Sequence, residues 1–383
     1  MKILYVISTP IEYSSSANMR NLALINGLIK NNCTVDLLSD TYDINSKYVD
    51  NSLCKINFNK RYYLRKVNYS NNKSKKMIIG KKINIIKNKC ISILQKFSIY
   101  DNRKILRYNV NKLKIDYNYD ILISSSDPKS SHLIVKELFK KNPEIAKKWI
   151  QYWGDPFSND INNKSYIPKF LISKEEKKLL SLADKIVYVS PFTLKMQRNK
   201  FKSLSSKMFF YPIPFYEKKI YKNCNSKLLG YFGDYYSKDR NIIALYNCCN
   251  KKNIDLLLIG NTDVKIMNDN KKITILPRMS KEIIDKYEED VFLLICVCNK
   301  KGTQIPGKIY HYAATNKPIL IILDGEYKEE MKEYFESFNR FYICYNNEQS
   351  IGKTLDNIFN IKTSFMPLES IDSKVIAKKI IDI

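Results

Sequence analysis

The sequence predicts an α/β protein built from two doubly wound, parallel-stranded domains. Two successive series of short apolar runs alternate with helix-period stretches, a Pro-rich break separates the series, and turns rich in Gly, Ser and charge follow the apolar runs. With 383 residues, each half is long enough to bury its own core.

KILYVIS, a Ser-rich loop, the periodic stretch ANMRNLALINGLIKNN and TVDLLS form an opening β-α-β unit, which implies parallel pairing. After a basic segment the alternation resumes with YDILISS, a helix over 130–141, KKWIQYW, a helix around 174–182, KIVYVS, a further helix and KMFFYP. The segment YPIPFYEKKIYKNCNS then interrupts it and reads as a linker. A second series follows: KLLGYFG, a helix over 241–251, IDLLLIG, KKITILP, a helix over 281–288 and VFLLICVC. It ends with a helix over 307–315, KPILIIL, a helix over 326–338 and the short strand RFYIC. These boundaries give a first domain over 1–213 with a basic insertion at about 55–115, and a second over 214–366. A last helix over 367–383, apolar at Val375, Ile376 and Ile380, is expected to cross back to the first domain.

Nine cysteines without zinc-type spacing read as small buried hydrophobes in a reducing compartment. MKILYVISTP lacks a basic leader and a cleavage-site pattern, so no signal peptide is expected, and no apolar stretch is long enough to span a bilayer. The net charge of +27 is unevenly spread. From Lys60 to Lys114 there are seventeen Lys or Arg and one acid, Asp101. Within that segment IIGKKINIIKNKCISILQKFSIY places Ile79, Ile83, Ile86, Cys90, Ile93, Leu94 and Phe97 at helical spacing with lysines between them. An anionic lipid surface is the preferred partner of this basic amphipathic helix; a solvated helix is the plainer alternative. Nucleic acid is disfavoured, because no recognised nucleic-acid motif accompanies the charge.

In open parallel sheets ligands bind beyond the carboxyl ends of the strands. Ser14, Ser15, Ser16 and Arg20 follow the first strand, where they suit either a substrate loop or an ordinary helix cap. Ser124, Ser125, Ser126 and Asp127 end another strand. In QYWGDPF, Asp155 sits between Gly154 and Pro156 on a constrained turn, placed to take a proton from a hydroxyl or to hydrogen-bond a substrate. In the second half GYFGDYYSKDRN supplies Gly233, Lys238 and Arg240, and Gly260 and Arg278 close two further strands. Ile305 to Leu320, IPGKIYHYAATNKPIL, joins two apolar runs through a Gly/Pro/Lys turn that aims backbone N–H groups and the Lys308 cation at one point, which suits a diphosphate. His311, one of two histidines with His132, lies in the first turns of that helix.

Taken together, these segments resemble glycosyltransferases of the GT-B fold, most closely family 4, over nearly the whole chain. The strongest element is PGK-x-Y-x-Y-x-x-x-x-KPI, similar to the end of the family's Glu-x7-Glu segment. With Lys317-Pro318 aligned, His311 stands where the family has its ribose-binding glutamate and Thr303 where it has the other; Ser15 and Ser16 replace a glycine pair.

The resemblance implies two Rossmann-like domains facing across a cleft. A UDP- or GDP-linked sugar donor would occupy the C-terminal domain at Gly233, Gly260, Arg278, Thr303, Gln304, Ile305, Pro306, Gly307 and His311. The acceptor, a lipid-linked saccharide of surface polysaccharide synthesis, would meet Ser15, Ser16, Arg20, Ser125 and Asp127. Lys238, Arg240 and Lys308 would stabilise the leaving diphosphate. Asp155 would orient the acceptor in a retaining transfer or serve as general base in an inverting one. The resemblance also implies no cofactor or resident metal, and a cytoplasmic enzyme peripheral on the inner membrane face. Nucleotide-sugar epimerases share the fold, and a basic nucleic-acid-binding protein is the remaining alternative.

Overall fold

The computed structural model describes residues 1–46, 48–50, 53, 56–65, 93–161, 163, 165–222, 227–266, 270–360 and 364–383. Most of the basic amphipathic helix expected over 79–97, up to residue 92, lies outside the described residues. The chain divides into two compact units, Met1–Tyr211 with Ala377–Ile383, and Pro212–Ile376. Among the described residues no helix is long and apolar enough to cross a membrane.

The first unit holds β1 (Lys2–Val6), β2 (Thr34–Ser39), β3 (Arg61–Tyr63), β4 (Tyr119–Ser125), β5 (Ala146–Trp153), β6 (Lys185–Tyr188) and β7 (Met208–Phe210). They run parallel in the order β3-β2-β1-β4-β5-β6-β7. The second holds β8 (Leu229–Phe232), β9 (Leu256–Ile259), β10 (Ile273–Leu276), β11 (Leu293–Val297), β12 (Ile319–Leu323) and β13 (Tyr342–Tyr345), parallel in the order β10-β9-β8-β11-β12-β13. Each unit is therefore a doubly wound, Rossmann-like sheet. The order reverses between β1 and β4 in one and between β8 and β11 in the other, and such switch points open the crevices in which ligands bind.

The central strands are apolar because helices cover both faces of each sheet. Ile3 to Val6 and Leu293 to Val297 are all at most 4% exposed. Burying each such Leu, Ile or Val contributes roughly 1.5–3 kcal/mol relative to exposure. The cysteines Cys33, Cys248, Cys249, Cys296, Cys298 and Cys344 are buried and free.

Several elements depart from the sequence reading. Two parts of the stretch read as an insertion belong to the first unit's packing: β3 extends the sheet beside β2, and a 3-10 helix over Asn102–Lys112 buries Leu106 and Val110. Asp101 caps that helix through Arg103 N and also accepts from Ser130 N, both at 3.0 Å. The helix expected over 307–315 is only Lys308–Tyr312. Thr315 N donates to Tyr312 O at 2.9 Å and closes it in a turn, and Pro318 disfavours helical continuation through Lys317. The helix Glu348–Asn360 was not foreseen; it buries Ile351, Leu355 and Ile358 at i, i+4 and i+7.

Candidate functional site

In the second unit the switch point is lined by loops after β8, β9 and β11. Gly233 N donates to Ile259 O at 2.8 Å. A Cβ at Gly260 would lie 2.0 Å from Gly233 O, so only glycine lets these two strand ends approach so closely. The stem of Lys308 runs past Gly233, and its ammonium stands 5.9 Å from the Phe232 ring centroid and 5.6 Å from that of Tyr312. Burial lowers its pKa, partly opposed by Glu288. Among the described residues no carboxylate lies within ion-pair distance of Lys308, so the cation is only partly compensated.

Arg240 donates through Nε to Asn299 Oδ1 at 2.9 Å and through Nη1 to Asp234 O at 3.3 Å. Arg240 and Lys308 both act on the Cys296 thiol, whose pKa burial pushes up to about 12. Arg278 is exposed and pairs with Asp234 at 3.2 Å, while Lys238 is an exposed turn residue near Asp263. Thr303, Gln304, Ile305 and Pro306 are buried, and both side-chain amide atoms of Gln304 are unpartnered. Gly307 is half-buried and has room for a Cβ, 3.5 Å from Ile213 Cδ1, so it is not sterically required.

Beneath this group His311 Nε2 lies 3.4 Å from Glu288 Oε2. Glu288 is the buried residue of helix Lys281–Asp290. Burial alone would raise its pKa, but His311, Lys308 and Lys219 overcome it and hold the carboxyl at about 2. Asp285, Glu288 and His311 have the donor chemistry of a metal site. Lys219 Nζ, 2.7 Å from Asp285 Oδ1 and 3.8 Å from Glu288 Oε2, already supplies a cation there.

The first unit gathers a second group at the ends of β4 and β5. Arg20, from helix Ser16–Lys30, donates through Nη2 to Ser126 O and lies 5.4 Å from the Tyr152 ring centroid. A Cβ at Gly154 would collide with that guanidinium, so glycine makes room for it. Asp127, Asp155 and Asp160 bring carboxylate oxygens within 4.8 Å of one another. Lys129 bonds Asp127 and, at 2.7 Å, Asp160.

Burial, followed by the negative charge of Asp127, raises the Asp155 pKa to about 8. Burial also opposes the ionised form of Asp127, but Lys129 and Arg20 overcome it and lower its pKa. The two carboxyls therefore share one proton, held on Asp155 at neutral pH. Asp155 is then a hydrogen-bond donor to Asp127. Ser15 caps the helix through Asn18 N at 3.1 Å, Ser16 is exposed, and Ser125 donates to Asn21 Oδ1 at 2.6 Å. His132 is buried, bonded to Ser124 and packed 4.1 Å from Trp153; burial pushes its pKa down to about 3, as suits a neutral core residue.

Lys129, Asp160, Asn299 and Glu288 were not singled out from sequence. Lys129 lies two residues after Asp127, which was a usable signal, but lysine is too common here to stand out. Glu288 sits in KYEED, indistinguishable from its neighbours until the helix is docked.

No family model matches the chain, and no curated protein sequence matches it. Solved structures do align over its whole length. TarM is 11% identical at TM-score 0.60, covering 100% of this chain and 94% of that one. A glycosyltransferase from Rickettsia africae ESF-5 is 15% identical at TM-score 0.56, covering 100% and 93%. A UDP-N-acetylglucosamine 2-epimerase is 10% identical at TM-score 0.55, covering 100% and 94%. Likenesses at such low identity concern the fold, and the fold is GT-B, with two Rossmann-like units.

Proposed function

We propose that the protein is a glycosyltransferase that moves a sugar from a UDP- or GDP-linked donor to a lipid-linked saccharide at an anionic membrane surface. Lys308 carries this reading. A desolvated ammonium without a close acid partner, placed at the β8/β11 switch point beside the Gly233 backbone, calls for an anion in the fold's ligand crevice. Arg240, held by Asn299 and the Asp234 carbonyl, supplies a second positive charge.

In the proposed transfer, the C-terminal unit binds the diphosphate through Lys308 and Arg240. The orphaned Gln304 amide offers both a donor and an acceptor to the sugar. As the glycosidic bond breaks, negative charge grows on the leaving diphosphate, and the two cations lower that barrier without a protein nucleophile. This suits retention of anomeric configuration, the course we assign. The N-terminal unit binds the acceptor beside Arg20 and the Asp127/Asp155 pair, whose remaining carboxyl oxygens accept hydrogen bonds from its hydroxyls and orient it.

Thermal-shift screening of UDP- and GDP-sugars, followed by product analysis with and without a lipid-linked saccharide, tests the proposal. Stabilisation by one nucleotide class and acceptor-dependent sugar transfer are expected. Interconversion of donor sugars without acceptor would replace transfer by epimerisation. Absence of any nucleotide effect, with tight DNA binding at physiological salt, would overturn both.

A further inference from the structure

We propose that Glu176 is a positioning residue for the carboxyl group of the first unit: from beneath the turn that follows β5 it fixes Asp155 and Asp160 at the spacing that closes them on Asp127 and Lys129. The use of that group to orient an acceptor rests on the transferase reading; the positioning itself does not.

Helix Lys169–Ser181 buries Ile172, Glu176, Leu179 and Leu180. Glu176 therefore sits in an apolar stripe, only 1% exposed, where a carboxyl group is costly unless donors surround it. Most of the donors come from the turn itself. Oε1 accepts from Phe157 N at 2.9 Å, and Oε2 accepts from Ser158 N at 3.3 Å and Ser158 Oγ at 2.5 Å. From helix Pro191–Lys200, Gln197 Nε2 donates to Oε1 at 3.0 Å, and Lys200 Nζ, which also bonds Ser158 Oγ, stands 3.4 Å from Oε2. One side chain thus takes up two successive backbone N–H groups of the turn and ties them to two helices.

Asp155 lies two residues before Phe157, and Asp160 two residues after Ser158. Lys129 bonds Asp160 and Asp127, so the turn is held in its middle by Glu176 and at its end by Lys129. Burial and then Asp127 raise the Asp155 pKa, Lys129 opposes the rise and Asp160 adds to it, while Arg20 acts on Asp127. The two largest causes both depend on where the turn lies. Loosening it admits water to Asp155 and draws it away from Asp127, and both changes bring its pKa down.

Carbon-13 NMR titration of the aspartate carboxyls tests the positioning without any ligand, Asp155 being identified by the signal lost in Asp155→Asn. The wild-type midpoint is expected at about 8. In Glu176→Gln the amide can serve only one of the two backbone N–H groups, and a midpoint lower by about one pH unit or more is expected. Ser158→Ala, which removes one hydroxyl contact, is expected to move it less in the same direction. Val110→Ala opens a cavity elsewhere in the same core, so it is expected to lower Tm and leave the midpoint in place. An unmoved midpoint in Glu176→Gln, an equal displacement in Val110→Ala, or a wild-type midpoint in the ordinary carboxylate range overturns the proposal. Should Glu176→Gln not fold, Ser158→Ala carries the test, and an unmoved midpoint there overturns it.

Transfer kinetics supply the functional arm. Glu176→Gln is expected to lower kcat/KM for the acceptor about tenfold while leaving the donor KM, set in the second unit, as in wild type. An unchanged kcat/KM for the acceptor would overturn the role in orienting it. If the midpoint moves as described but the wild-type protein transfers sugar to no acceptor, the transferase reading fails and the positioning of Asp155 by Glu176 stands.

Discussion

Replacing Asp155 by Asn removes the ionisable group while keeping its shape and its ability to donate to Asp127. In the wild-type fold the Asp155 pKa rises from 3.8 to about 8. Between these values the folded state binds more protons than the unfolded chain, so stability is greatest below the unfolded pKa and declines as pH rises toward the folded one. From pH 5 to pH 8, about three units at 1.36 kcal/mol each give an upper bound of about 4 kcal/mol. Asp127, shifted the opposite way, titrates below this window and leaves the difference unchanged. For a unit of about 150–250 residues this upper bound corresponds to about 8–16 °C in Tm.

The amide of the Asp155→Asn variant has no charge to gain over this range. Calorimetric melting of both proteins at pH 5 and pH 9 should therefore show the variant gaining several degrees, up to about 8–16 °C, on wild type between the two conditions, all other titrations cancelling in the difference. Parallel Tm curves would mean that Asp155 is an ordinary ionised carboxylate, and the hydrogen-bond-donor role would fall with it.

Lys308→Met should weaken UDP or GDP binding about 10- to 100-fold by calorimetry, the worth of one charge-assisted hydrogen bond, without lowering Tm; unchanged affinity would remove Lys308 from the donor site. Gly260→Ala forces a methyl group against the Gly233 carbonyl, and a loss of about 1–3 kcal/mol in urea unfolding is expected, whereas a silent substitution would show that the strand-end contact is not tight. The basic stretch from Lys60 to Lys114 should carry the protein upward in flotation with anionic vesicles and much less with neutral ones, the difference fading at high salt; equal recovery on both vesicle types would exclude electrostatic docking.

The strand and helix alternation was legible because parallel strands covered on both faces become continuous apolar runs, and ILYV, LLLI and LLICV could hardly be anything else. The turn residues after those strands could be identified for the same reason. Partnership was not legible. Nothing in the spacing of Arg20 and Gly154 announces that the guanidinium of one occupies the space beside the α-carbon of the other. The protonation of Asp155 depends on a carboxyl 28 positions earlier in the chain, and Glu288 acquires its character only when its helix docks beside Lys308–Tyr312. Charge also concealed structure: in NRKILRYNVNK only Leu106 and Val110 are buried, while Ile105 and Tyr108 beside them are exposed, so the apolar residues gave no period that would reveal a packed 3-10 helix.

The residues Ala377–Ile383 belong to the first unit, with Ile380 fully buried and Lys148 donating to the Ile383 carbonyl at 2.7 Å. During synthesis the ribosome must therefore make all of Pro212–Ile376 before it delivers the segment that the first unit still lacks. The half of the chain translated first is the half completed last, leaving the surface normally covered by that segment exposed in the meantime.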